Sequence, residues 1–306
     1  MSSLVRLVNA RTVVATMTPA PSDRAALWRG VAWMLFAMSC IALIDGGAKL
    51  LAVDRNGIQI AWGYFIAMLA NLLIYAAIRR LRFRDLLHTQ QRSKQLLRAA
   101  FLVGSLSCLF FSLRYLPLAE ATSISFTAPL FVVALAGPLL KERVSWSRWL
   151  AVLCGLAGAL IIVRPGSDVL GWAAFLPLIG AVFFALFSIV TRMLGPNENI
   201  ITTVFYTTGG GSILLSLATP LFWEAMNWPV VAALFGLGTL GIFAHLSIVQ
   251  AMRLVDASRI APINYVRLVW ALGLGWLLFG QTPDAMALFG AVIIVASGLY
   301  VVMGPR

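Results

Sequence analysis

Apolar residues run along this chain in stretches of about 15 to 23, enough for an α-helix rising 1.5 Å per residue to cross most or all of a roughly 30 Å hydrocarbon layer. Ten such stretches stand out, at 30–52, 57–78, 99–117, 121–140, 149–163, 170–191, 200–222, 230–251, 260–280 and 285–303. They predict ten transmembrane helices joined by short polar loops. The fifth is short, but Arg148 and Arg164 flank it, where their heads can snorkel to the two interfaces. Residues 1–28 carry Arg6, Arg11 and Arg24 with a single acid, Asp23, and lack the compact apolar core and cleavage site of a secretory signal. They read as a disordered cytoplasmic tail or as an extension upstream of an initiator at Met17; a transit peptide fits less well.

Composition removes the soluble alternative. Of 306 residues 61% are hydrophobic and only 11% charged, with a mean hydropathy of +0.92, far from the base rates of soluble domains. The net charge of +12 by itself would suit nucleic acid, but the positions of the basic residues decide otherwise. The densest run, Arg79-Arg80-Leu81-Arg82-Phe83-Arg84, lies between two apolar spans. With the amino terminus inside, Lys and Arg crowd the tails and inward loops, whereas the outward loops hold Arg55 and Arg164. The positive-inside rule then puts both termini in the cytoplasm, which requires an even number of spans. Cys40, Cys108 and Cys154 fall inside spans without metal or disulfide spacing, so no metal or cofactor is indicated.

Two stretches resemble each other. Leu118-Ala119-Glu120-Ala121-Thr122 opens span four and Leu254-Val255-Asp256-Ala257-Ser258 opens span nine, while Gly158 and Pro165 match Gly298 and Pro305. The expectation is two five-helix repeats, 29–166 and 167–306. An odd number of spans per repeat inserts the second copy upside down, the inverted architecture of carriers with a solute site near the midplane.

On Ala119-Glu120-Ala121-Thr122, Thr127-Ala128-Pro129, Lys141-Glu142-Arg143 and the segment from Gly155 to Pro165, the chain resembles the EamA type of the drug/metabolite transporter superfamily. The second copy departs from the first, with Gln281 in place of Glu142 and with Arg267 in mid-span. The resemblance implies an all-α bundle of ten helices in the bacterial inner membrane that moves small metabolites, frequently exporting amino acids or related compounds.

Ionisable groups deep in a span are costly and mark function by default. Asp45 lies about 23 Å from the inner end of span one, and Lys49, one turn on, is its natural partner. Arg267, about 11 Å from the inner end of span nine, has no partner on its own helix and is suited to a carboxylate or phosphate. Depth sorts the other polar residues into two layers. Tyr64, Arg114 and Glu120 join Asp45 and Lys49 in the outer half; Tyr206, His245 and Asn264 join Arg267 in the inner half. The layers read as outer and inner gates around a cavity. Asn264, Tyr265 and Trp270 are expected to meet the solute beside Arg267, and a coupled proton would pass through Asp45 or His245. Packing alone also accounts for His245, and dipole capping for Glu120. Trp62, Trp270 and Trp276 read as bundle packing.

A secondary carrier is therefore the leading reading, as an exporter of an amino acid or related compound. Its alternative is an importer of a vitamin-like or nucleoside-like metabolite of the riboflavin or S-adenosylmethionine type. A membrane-embedded enzyme would need more converging acids and bases than His88, His245 and Asp45 supply. No Gly-rich phosphate loop with Lys is present for ATP-driven transport, and the short loops leave a receptor little surface. The expected partners are a small-molecule metabolite and the lipid bilayer, not nucleic acid. A homodimer is left open, since the GxxxG-like Gly236 to Gly241 stretch is too common in membranes to specify one.

Overall fold

A computed structural model describes residues 21–140, 146–163, 171–194, 198–255 and 261–303. The described residues are helical and loop, without strands. The helices are α1 (Pro21–Ala52), α2 (Gly57–Ile78), α3 (Phe83–Leu87), α4 (Arg92–Ser112), α5 (Leu118–Ser125), α6 (Ala128–Leu140), α7 (Trp146–Val163), α8 (Phe175–Leu194), α9 (Ile200–Ala218), α10 (Trp228–Leu254), α11 (Val266–Phe279) and α12 (Ala285–Met303). Seven segments are long and apolar enough to cross a membrane: 25–52, 57–78, 92–112, 118–135, 172–194, 200–222 and 228–251. Three shorter apolar helices, 149–162, 263–279 and 285–300, fall where spans five, nine and ten are expected.

Several boundaries differ from the sequence reading. The first helix begins at Pro21, so 21–28 continue α1 rather than belonging to a tail, while residues 1–20 lie outside the described residues. α4 begins at Arg92 and ends at Ser112, which moves Arg98 into a helix and Arg114 out of one. A charged segment ahead of an apolar run extends the helix wherever its backbone bonds can continue, and hydropathy does not register this. Span four is interrupted: α5 stops at Ser125 and α6 starts at Ala128, with Thr127 donating its hydroxyl to the carbonyl of Ile124 at 2.7 Å. Span nine opens with a 3₁₀ turn, Ala261–Tyr265, before α11. Ala128-Pro129 and Ala261-Pro262 stand at these two interruptions, where proline cannot donate to the preceding turn. The Lys141-Glu142-Arg143 motif and Asp256 to Ser258 lie outside the described residues.

Sequence explains many of the helix starts. Asn56 accepts from the backbone N–H of Ile58 to open α2, and Asn199 does the same with Ile201 to open α9. Asn227 caps α10 and Asp284 caps α12. Hydroxyls along the spans turn back on their own helices, as Ser123, Ser125, Thr208 and Ser212 do on carbonyls four residues earlier, so few donors are left without partners away from water.

The helices pack in exchanged couples. α1 lies on α10 and α4 on α8; α2 lies on α10 and α4 on α9; α1 meets α11 and α8 meets α6. Two further contacts, α2 with α9 and α7 with α12, join corresponding spans of the two halves. At the α7–α12 crossing, a Cβ on Gly158 would stand 2.9 Å from the carbonyl oxygen of Gly290, and one on Gly290 would stand 2.6 Å from that of Gly158. Only glycine permits so close a backbone approach. The GxxxG-like stretch of α10 serves the same end within the chain, because Gly238 seats Ala67 and Met68 of α2 and Gly241 seats Tyr64. The surface is apolar, with Leu217, Leu221, Leu277 and Trp228 largely exposed, while Asp45, Lys49, Arg98 and Glu120 are buried. That distribution is what lipid as solvent demands.

Candidate functional site

Asp45 is carried by α1 and Arg267 by the first turn of α11, and the two meet: Nε of Arg267 donates to Oδ2 of Asp45 at 2.6 Å. The Asp45 side chain is 4% exposed and that of Arg267 19%. This corrects the expected Asp45–Lys49 pair. Lys49 instead donates to the carbonyls of Leu113 and Leu116, at 2.8 and 2.7 Å, and lies over the ring of Phe279 and within electrostatic range of Glu120. The four-residue spacing of Asp45 and Lys49 allowed a local pair, but distant groups with more donors and acceptors outcompete it. Depth along the expected spans places Asp45 and Arg267 in different layers. α1 has 32 residues, about 48 Å and longer than a bilayer is thick, and the 3₁₀ turn before Arg267 rises more steeply than an α-helix.

Beside this pair the two interrupted spans touch. Phe126, at the break between α5 and α6, packs on Tyr265, at the end of the 3₁₀ turn, with ring centroids 5.0 Å apart. The Tyr265 hydroxyl is buried against Gly298 and makes no hydrogen bond among the described residues. Asn264 is half-buried in the same turn. Tyr64 of α2 lies in the field of both Asp45 and Arg267, its ring edge-on to Phe65 and Phe110. Asp45, Arg267, Tyr64 and Tyr265 thus gather polar groups from both halves of the chain around broken backbone, the setting in which carriers bind solutes.

Other expected site residues lie elsewhere. Arg114 is exposed in the turn after α4 and is not within a span. Trp270 is 46% and Trp276 66% exposed, so both face outward from the bundle, because α11 presents that side to lipid. Glu120 sits buried in the first turn of α5. Tyr206 donates to the carbonyl of Leu87. His245 is half-buried on α10, within electrostatic range of Arg98. The expected outer and inner layers are therefore joined at Asp45–Arg267 rather than separate.

The two ends of the bundle are held by different contacts. At one, Arg55 pairs with Glu224 at 3.8 Å, Gln59 donates to the Glu224 carbonyl at 2.7 Å, Trp62 meets Trp223 edge-on and Gln281 accepts from the N–H of Leu118. At the other, Glu198 accepts from Thr89, Gln91 and Gln95, and Gln91 also bonds the carbonyl of Leu194. Sequence reasoning missed Glu198, Gln95 and Arg98. The signal was present: Gln95 and Arg98 are one helical turn apart, so a helix begun at Arg92 puts both on one face.

Comparison with known proteins accords with this geometry. The EamA-like transporter family matches the chain twice, over residues 28–164 and 171–303. A riboflavin transporter of Vibrio cholerae is 29% identical, aligned over 89% of this chain and 92% of its own length. An S-adenosylmethionine uptake transporter of Rickettsia bellii is 26% identical over 90% and 94%. A pseudopaline exporter of Pseudomonas aeruginosa is 28% identical over 76% and 82%. One solved structure superposes on 91% of this chain and 97% of its own with a TM-score of 0.59 and 19% identity, a likeness of fold alone. With the family matching both halves, an apolar exterior and long apolar helices, the chain is a multi-pass membrane protein that belongs to the EamA-like transporter family.

Proposed function

We propose that this protein is a secondary carrier that moves a small organic metabolite across the bacterial inner membrane by alternating access, through ten spans with both termini cytoplasmic. The observation that carries the reading is the Asp45–Arg267 pair beside the contact of two broken spans. The exchanged helix couples and the twofold family match support two inverted repeats, 29–166 and 167–306. In this reading a polar or anionic group of the solute competes with Asp45 for the Arg267 fork, and Tyr64 and Tyr265 complete the pocket. Opening alternates between the Arg55–Glu224 end, taken as periplasmic, and the Glu198 end, taken as cytoplasmic.

The S-adenosylmethionine uptake relative favours uptake of a nucleoside-like solute and the riboflavin transporter a vitamin-like one, both aligned over nine-tenths of their length. The pseudopaline exporter favours the second reading, export of an amino-acid-like compound. The test is a screen of radiolabelled riboflavin, S-adenosylmethionine and amino acids in proteoliposomes, for uptake and for efflux after preloading, with wild type and Arg267→Ala. The reading expects one solute to move in wild type and not in Arg267→Ala. A folded wild type that moves none of them in either direction would remove this substrate range, and equal transport by both proteins would return Arg267 to a structural role.

A further inference from the structure

Among the described residues the buried charges do not balance: Asp45 is neutralised by Arg267, and Glu120 lies in the field of Lys49. Arg98, on α4 and 8% exposed, meets no carboxylate among the described residues. Its Nε donates to the hydroxyl of Thr191 on α8 at 2.7 Å, and one terminal nitrogen donates to the hydroxyl of Thr207 on α9. Its Cζ lies over the Phe187 ring, 4.3 Å from the centroid. Two of the five N–H donors of the fork are thereby used, and three have no protein partner among the described residues.

Each of these neighbours is neutral. Hydroxyls and a ring face orient the guanidinium, but they do not cancel its charge, and a permanently charged group set in the bundle without a counter-ion is costly. His245 of α10, within electrostatic range of it, adds no negative charge. One turn back on the same helix face, Gln95 is fully buried and its Oε1 has no hydrogen-bond partner among the described residues, an acceptor without a donor beside donors without an acceptor. Gln95 and Arg98 of α4 bond Thr203 and Thr207 of α9 as two successive rungs, so the arrangement is built by packing rather than by a stray surface side chain.

We propose that Arg98, oriented by Thr191 and Thr207, binds the carboxylate or phosphate of a small-molecule solute at the Glu198 end of the bundle. The group would accept the fork's free donors, and a hydroxyl or amide on the same molecule would reach Gln95. This subsite is separate from Arg267, whose charge is already met by Asp45. As a stage on a transport path it rests on the carrier reading; as an anion site it does not.

The test is anion-dependent thermal unfolding of the purified full-length protein in neutral detergent. Sodium glutamate and sodium phosphate are titrated at constant ionic strength against sodium chloride, and phosphatidylglycerol is titrated separately. Wild type is expected to show a saturable rise of its midpoint with glutamate or phosphate beyond chloride. Arg98→Gln is expected to lose that rise, and Arg98→Lys and Thr207→Val to need roughly tenfold more anion for half-saturation. The Thr207→Val and Arg98→Lys proteins decide the matter should Arg98→Gln not fold. The absence of a specific rise in wild type, or an undiminished response in these variants, would overturn the proposal. A response to phosphatidylglycerol but to neither free anion would overturn it in favour of a lipid headgroup seat. A wild type that binds either anion but moves none of the screened solutes would remove that substrate range and leave the subsite standing.

Discussion

Arg267 donates to Asp45 at 2.6 Å although they lie 222 positions apart in the chain, so this buried ion pair also ties the first helix to the second half of the chain. Removing one partner leaves the other buried and unmatched. Arg267→Ala and Asp45→Ala are each expected to cost about 3 to 5 kcal/mol of stability. The double replacement Asp45→Ala with Arg267→Ala is expected to cost less than the sum of the two single losses. Unfolding of the four proteins in detergent checks this through a double-mutant cycle; simple additivity would mean that the pair contributes no coupling.

Lys49 satisfies two carbonyls in the turn that follows α4, at Leu113 and Leu116. Lys49→Met keeps the apolar stem but strands both acceptors, with an expected loss of about 1 to 3 kcal/mol. Thermal unfolding measures it. The same variant leaves Glu120 without the nearby cation, so Lys49→Met combined with Glu120→Gln is expected to recover part of the loss.

Tyr265 buries a hydroxyl that bonds nothing among the described residues. Tyr265→Phe is therefore expected to leave unfolding unchanged or slightly improve it. If the hydroxyl serves the solute, KM rises roughly tenfold in the same variant. A transport assay on whichever solute the screen identifies separates the two effects; unchanged KM would make the residue a packing element.

The glycine crossing of α7 and α12 gives a prediction with an internal control. Gly158→Ala puts a methyl 2.9 Å from the Gly290 carbonyl oxygen, whereas a Cβ on Gly236 meets nothing within 4 Å. The first is expected to lose about 1 to 3 kcal/mol and the second to be neutral, as read from unfolding midpoints.

Arg55 and Glu224 hold one end of the bundle together. In the protein carrying both Arg55→Cys and Glu224→Cys, a bifunctional methanethiosulfonate cross-linker is expected to stop transport and reduction to restore it. Transport that persists in the cross-linked protein would exclude opening at that end.

Hydropathy along the chain was enough to locate the apolar segments, because lipid accepts only helices whose backbone is satisfied internally, and that constraint is local. The Glu120 and Thr127-Ala128-Pro129 motif pointed to the family for a similar reason, since a helix start and a proline interruption are read within a few residues. The site did not yield so readily. Asp45 could choose between Lys49, four residues away, and Arg267, more than two hundred away, and only packing of α1 on α11 decided it. Arg98 lies just outside the third apolar stretch and joins a helix only because α4 begins at Arg92, and Trp270, expected to meet the solute, lies on the outward face of α11. Periodicity states that a face exists; which neighbour that face meets depends on contacts distant in sequence, and those belong to the tertiary structure.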